Sequence, residues 1–307
     1  MWRTVIVNRG EKITVRDGHL TVFCDDLEQK IPLDDIYAVV LDNDSASVSV
    51  AALTALARAG AHVCYCDAKH LPVAVSYPLN TYYRPAAILQ RQMAMTAEFK
   101  EVLWQRVAGQ KLRNQAACLR FCGVPEKNAA VLDALADAVL PGDVTNREAV
   151  GAKKYFAALF GAPFKRSDEG DVTNAALNYG YAILRSSLGK SLAVHGYNGA
   201  LGVHHCGSAN PFNLADDLME PLRPLVDLWT DRHCDELLET LTRTNRRDLI
   251  GLVNLPMRMD GKKMRTRYVI DQYVRSLTTA ILENDPGRLM LPELIPLDEF
   301  FEDDLDG

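Results

Sequence analysis

The residues best suited to chemistry lie between positions 201 and 227. They are the adjacent histidines His204 and His205, an Asn-Pro-rich turn, and the acidic residues Asp216, Asp217 and Glu220. Asp217 and Glu220 are three apart, so on a helix they lie roughly 60° from one another and can converge on one point. Pro221 has no N–H, which removes the usual helical partner of the Asp217 carbonyl and loosens the backbone beside the carboxylates. One imidazole and two carboxylates beside a break suit a hard divalent cation such as magnesium or manganese. The same residues also make a solvated helix N-terminus, whose dipole attracts Asp and Glu, with one histidine packed in the core. Spacing alone leaves both readings open.

Further motifs accompany this stretch in a fixed order. Gly202, His205 and Glu220 form a Gly-x-x-His with a glutamate fifteen residues after the histidine, within Asp217-Leu218-Met219-Glu220-Pro221-Leu222-Arg223-Pro224. Asn210-Pro211-Phe212-Asn213-Leu214 lies between the histidine and the glutamate. Upstream come Asn146-Arg147-Glu148-Ala149 and Leu177-Asn178-Tyr179-Gly180-Tyr181. In these motifs, from residue 146 to residue 227, the chain resembles the CRISPR adaptation integrases, the spacer-acquisition integrase/endonucleases of CRISPR systems. Its 210–214 segment is similar to the branch found beside single-protein, RNA-guided effector nucleases, the type II systems.

The resemblance implies a metal site formed by Glu148, His205 and Glu220 and holding Mg2+ or Mn2+. His205 is the histidine that matches; His204 stands where the family has a hydrophobic residue. The implied reaction joins the 3′-hydroxyl ends of a short DNA, the new spacer, to the CRISPR repeat by transesterification. With water as the attacking group, the same site makes a metal-dependent endonuclease acting hydrolytically on branched or double-stranded DNA. A non-enzymatic DNA scaffold, its carboxylates mere helix caps, is the further alternative. The implied partners are double-stranded DNA (spacer precursor and repeat), a second copy of the chain and a small protein of the adaptation complex, with the RNA-guided effector nuclease as a further candidate.

Individual residues carry competing readings. Thr145-x-x-Glu148 has the spacing of a capping box, so Glu148 could serve a backbone donor rather than a metal. Arg147 reads as a surface charge or a phosphate contact. Arg223, three residues after Glu220, could stabilise charge on phosphate oxygens, or pair with Glu220 or Asp217 and position them. Asn178 reads as a structural hydrogen-bonder, and Tyr179 as a contact to DNA or a structural one. Arg243, Arg246, Arg247, Arg258, Lys262, Lys263, Arg265 and Arg267 put eight basic residues into 25 positions. Binding of backbone phosphates fits that density, with strong salt dependence and little sequence readout; a solvated helical face is the plainer account.

A net charge of −6 does not exclude nucleic acid, because six of the negatives sit in the 298–306 tail while the basic residues cluster. Hydrophobic content of 48% and charged content of 24% describe a globular chain. No apolar run reaches the roughly 18 residues that span a bilayer, and the apolar part of the first residues is too short for a signal peptide. The expected location is cytoplasmic, with reduced cysteines. Seven cysteines without paired CxxC knuckles make a structural zinc site unexpected.

The elements that must position these residues fall into two groups. Residues 1–80 read as a β-rich, β-sandwich-like domain suited to dimerisation. Strands are expected at 4–7, 12–15, 20–24, 36–41, 63–66 and 73–77, with a hairpin at Asp17-Gly18 and one helix over 49–59. Two prolines in 77–85 mark a linker. Residues 81–307 read as a larger all-α catalytic domain, making the chain α+β. One long helix or two cover 86–122, with Leu89, Met93, Phe99, Leu103, Val107 and Leu112 as core candidates. Gly123-Val124-Pro125 ends that stretch, and helices follow over 128–140, from about 146 and over 172–189.

Overall fold

The computed structural model describes residues 3–8, 12–24, 27–43, 45–68, 70, 72–76, 85–168 and 170–297. The expected linker before Pro85 and the acidic tail lie outside the described residues. The chain divides into two compact units, Met1–Tyr83 and Arg84–Gly307.

The first unit contains β1 (Arg3–Val7), β2 (Lys12–Arg16), β3 (His19–Cys24), β4 (Leu27–Pro32), β5 (Ile36–Leu41), β6 (Ser47–Val48), α1 (Val50–Arg58), β7 (His62–Cys66) and β8 (Pro72–Ser76). These strands form two four-stranded sheets, ordered β1-β5-β7-β8 and β4-β3-β2-β6. Asp17 and Gly18 both have positive φ, 46° and 75°, the backbone that a tight β2–β3 hairpin turn demands. Ser49 caps α1 by accepting from Ala52 N–H at 3.2 Å. Val7 and Val39 from one sheet, Ile13 and Leu20 from the other, and Leu56 from α1 share a single core. The strand β4 was not expected, because Leu-Glu-Gln-Lys-Ile-Pro lies on a sheet edge with its first four residues exposed and carries no apolar signature.

The second unit contains α2 (Pro85–Met93), α3 (Ala97–Phe121), α4 (Glu126–Asp137), α5 (Arg147–Leu159), α6 (Val172–Val194), α7 (Asn213–Met219), α8 (Arg223–Arg232), α9 (Arg243–Ile250), the hairpin β9 (Pro256–Met259) and β10 (Lys262–Arg265), and α10 (Thr266–Glu283). The 86–122 stretch is thus two helices, since Thr96 accepts from Phe99 N–H and starts α3 afresh. Ile88 and Gln92 bury α2, and Met93, expected in the core, is 70% exposed. α3 is the axis of this unit and packs against α4, α5, α8 and the turn after α7. Trp104, Lys111 and Cys118 recur on it at seven-residue spacing, two turns apart, and so share one buried stripe.

Candidate metal and DNA site

Glu148 enters from the first turn of α5. The cap there is Asp143, whose carboxylate accepts from Arg147 N–H at 2.8 Å and Glu148 N–H at 2.9 Å. The Thr145-x-x-Glu148 box is therefore not used. Asn146 sits at φ 54° as the N-cap and makes no side-chain capping bond. Glu148 is left to turn inward, where its carboxylate accepts from the Lys111 ammonium of α3. Gly151 makes that approach possible, because a Cβ there would overlap the Leu112 side chain.

His205 is held by the loop ahead of α7. Asp217, almost fully buried, accepts from the backbone N–H of Val203 (2.5 Å), His204 (3.1 Å) and His205 (2.9 Å), and meets the His205 Nδ1 at 2.7 Å. A carboxylate at Nδ1 keeps the proton there and leaves the lone pair on Nε2, the arrangement common in metal-ligating histidines. The same bond, with Asp217 as the first cause, raises the His205 pKa. Gly202 is required by this folding of the loop. A Cβ on it would overlap the His205 carbonyl and approach Asp217 Oδ2 to 2.8 Å. His204 stacks on Trp104, with ring centroids 4.1 Å apart and planes 1° from parallel, and His205 meets the same indole edge-on at 5.9 Å. Its role is packing.

Glu220 opens a 3-10 turn, Glu220–Leu222, between α7 and α8. Pro221 does end α7, but the Asp217 carbonyl is not left open, since it accepts from the Glu220 N–H. The freed Pro221 carbonyl accepts from Asn114 Nδ2 of α3 at 2.7 Å. Both oxygens of the Glu220 carboxylate are engaged. Oε1 accepts from Arg223 Nε at 2.8 Å, and Oε2 pairs with Lys111 Nζ. Burial pushes the Glu220 pKa up, but Arg223 and Lys111 outweigh it and bring it down to about 2. Burial likewise opposes the charge on Lys111, and Glu220 with Glu148 reverses the balance and raises its pKa. Arg223 is thus a positioning residue for Glu220, and its guanidinium lies 4.6 Å from the centre of the Tyr181 ring. Beneath it, Tyr181 and Tyr155 donate to the buried Asp227, the latter at 2.9 Å.

The structure therefore draws Glu148 and Glu220 to one point. The group between them is the Lys111 ammonium, and among the described residues no three His, Cys, Asp or Glu side chains gather closely enough to hold a metal ion. The donor chemistry still fits a hard divalent cation. Two carboxylates already face one cation, and His205 presents the correct ring nitrogen. Sequence reasoning did not find Lys111, Trp104 or Asn114. The signal available was Gln110, Lys111, Asn114 and Gln115, polar side chains in an otherwise core-forming helix.

The residues expected to touch DNA are less uniform. Tyr179 has 0% exposure and packs inside the helical unit, so burial removes it from any DNA surface. Asn178 accepts from Arg166 at 2.8 Å, a structural bond. Arg147, half-buried beside Glu148, has a buried Nε that makes no hydrogen bond among the described residues. Arg243, Arg246 and Arg247 lie on α9, which starts with a capping box between Thr242 and Asn245. Arg258, Lys262, Lys263 and Arg265 lie on the β9–β10 hairpin rather than on a helix, with Lys262 and Lys263 exposed. Arg267 turns inward and donates to Asn254. No helix among the described residues is long and apolar enough to cross a membrane.

Solved structures share this fold. A casposase bound to its integration product superposes with a TM-score of 0.78, over 99% of this chain and 97% of that one, at 20% identity. A Cas6-RT-Cas1–Cas2 complex superposes with a TM-score of 0.72, over 98% of this chain and 36% of that one, at 18% identity. The architecture is that of the casposase and Cas1 proteins. The family profile for CRISPR associated protein Cas1 matches residues 4–232. The CRISPR-associated endonuclease Cas1 of Neisseria meningitidis serogroup C (strain 8013) is 36% identical over 301 residues, covering 97% of this chain and 98% of its own. The chain belongs to the Cas1 family of CRISPR-associated endonucleases and integrases.

Proposed function

We propose that this Cas1-family chain is a divalent-metal-dependent DNA integrase of CRISPR adaptation. Its reaction joins the 3′-hydroxyl ends of a short duplex to a CRISPR repeat by transesterification. One observation carries the reading. Glu148 and Glu220, 72 positions apart in the chain, meet at one buried cation, and Asp217 fixes the tautomer of His205.

Glu148, His205 and Glu220 would hold Mg2+ or Mn2+, which when bound supplies Lewis-acid stabilisation of charge on phosphate oxygens. Asp217 keeps the His205 proton on Nδ1, and Arg223 fixes the Glu220 carboxylate. Arg147, half-buried and next to Glu148 in the chain, would bring its guanidinium to a phosphate oxygen. The basic residues of α9 and the hairpin would meet the DNA backbone, away from base edges. The casposase caught with its integration product favours joining, and the Neisseria relative's name favours hydrolysis, so both products must be measured. The Cas1–Cas2 complex supports a small partner protein of the adaptation machinery.

The test is incubation of the protein with a short duplex, a repeat-containing plasmid and Mg2+ or Mn2+. Joined product should form, should vanish on chelation, and should be lost in Glu148→Ala, His205→Ala and Glu220→Ala proteins of unchanged circular dichroism. Cleaved plasmid without joined product would establish the nuclease instead. Wild-type joining by Glu220→Ala would end the site assignment.

A further inference from the structure

Lys111 is nowhere near solvent, with its side chain 8% exposed, yet it carries a charge and ends between two carboxylates. A buried ammonium costs several kcal/mol unless its partners compensate. Here they do. Lys111 and Arg223 are the cations of the cluster, and Glu148 and Glu220 the anions, so the four charges balance. Asp217 is committed to the His205 loop, and Asp227 lies beneath with Tyr155 and Tyr181.

That balance has a consequence for the metal proposed above. A divalent cation taken up by Glu148 and Glu220 would add two positive charges beside the Lys111 and Arg223 cations that already face those carboxylates. It would also claim carboxylate oxygens that Lys111 Nζ now occupies, since Lys111 meets Glu148 Oε1 and Glu220 Oε2. The ammonium and the metal therefore want the same oxygens. Lys111 cannot retreat far, because it rises from the middle of a 25-residue helix whose neighbouring side chains, Ala108, Leu112 and Gln115, are all buried.

We propose that Lys111 is a built-in counter-cation: it holds Glu148 and Glu220 together when no metal is bound, and it competes with the metal for them. It is a positioning residue, and it keeps metal affinity below what the ligands alone would give. The inference rests on the metal-site reading, and the experiment separates the two.

The full chain is compared as wild type, Lys111→Met, Lys111→Arg, Glu148→Gln and the double variant Lys111→Met/Glu148→Gln. Thermal unfolding is followed in EDTA and in Mn2+, and Mn2+ binding is measured by titration calorimetry. Lys111→Met should unfold earlier than wild type in EDTA, show a larger stabilisation by Mn2+, and bind Mn2+ more tightly by roughly tenfold or more, since each tenfold is only ~1.4 kcal/mol of lost competition. Lys111→Arg keeps the charge and should retain wild-type Mn2+ affinity within a few-fold. The double variant removes one carboxylate with the lysine, so its midpoint in EDTA should recover towards wild type. If Lys111→Met does not fold in EDTA, refolding on addition of Mn2+, or folding of the double variant, carries the proposal. Its overturn is a Lys111→Met protein that binds Mn2+ no more tightly than wild type, or a double variant no more stable than the single one. A wild-type protein without a Mn2+ response that Glu148→Gln removes would overturn the metal site, and this inference with it.

Discussion

Replacing Asp217 by Asn is the sharpest test of how His205 is held. Asp217 accepts four hydrogen bonds, two at each oxygen: Val203 and His204 N–H at Oδ2, and His205 N–H and Nδ1 at Oδ1. An amide offers one oxygen and one NH2, so either orientation sets an NH2 group against two donors. If it faces Oδ2's partners, the Val203 and His204 amides are left unpaired. If it faces Oδ1's partners, the His205 amide is unpaired, and the ring can accept only by moving its proton to Nε2, which removes the lone pair a metal needs. One or two part-buried donors left unsatisfied cost up to about 1–3 kcal/mol each. For a unit of this size that lowers the unfolding midpoint by about 2–24 °C, at roughly 2–4 °C per kcal/mol. Loss of the orienting carboxylate should weaken Mn2+ binding by roughly 10–100-fold, with strand joining falling in parallel. Differential scanning calorimetry, Mn2+ titration and the joining assay read these three quantities. An Asp217→Asn protein with wild-type midpoint and wild-type Mn2+ affinity would refute the argument.

Two further outcomes follow from the structure. Burial lifts the Asp227 carboxyl from its ordinary 3.8 to about 6, against the hydrogen bonds from Tyr181 and Tyr155. Its contribution to stability is therefore complete below the unfolded value and is lost as pH rises through about 6. Asn can accept from one tyrosine and donate to the other without charge. The stability of Asp227→Asn relative to wild type should thus rise by about 1 kcal/mol between about pH 5 and pH 7.5, and an unchanged difference in urea titrations would sink the idea. A spacer has two ends, so the proposed reaction would need two active subunits, and pairing through residues 1–80 is the proposed means. Light scattering should give twice the 34.0 kDa chain mass for the intact protein and the monomer mass for residues 81–307. A monomeric intact chain at micromolar concentration, or a truncated form that still pairs, would exclude that arrangement.

What the sequence made legible were signals carried by local chemistry. Asp17-Gly18 announced its hairpin because few other pairs tolerate two positive φ angles in a row. The helix expected over 49–59 is α1, and Ser49 is its cap. β4 was hidden because its pairing with β3 is made by backbone groups, while its first four residues are exposed. The site divides along the same line. His205 and Glu220 stand close in sequence, and Glu148 lies in a motif of its own, so residue types and order sufficed to nominate them. Lys111 lies 37 positions before Glu148, in a long helix where a lysine normally reaches solvent. Only the packing of α5 and the 220–222 turn onto α3 turns that lysine into the centre of the cluster. The role of Asp217 was left open for a related reason. Its spacing from Glu220 fits a shared ligand set, but three backbone amides of a folded-back loop, invisible in a pattern of side chains, have taken its oxygens.

The burial of the three proposed ligands also fixes the side from which DNA can arrive. Glu220 is the floor: its side chain is 6% exposed and both oxygens are tied, one to α3 and one to α8. Glu148 is 22% exposed and His205 42% exposed, so the site opens between the start of α5 and the loop before α7. A phosphodiester approaching there would meet His205 and Glu148 before Glu220. In the proposed site the rigid carboxylate at the floor would fix the position of the cation, and the solvent-facing imidazole at the rim would border the space the DNA enters.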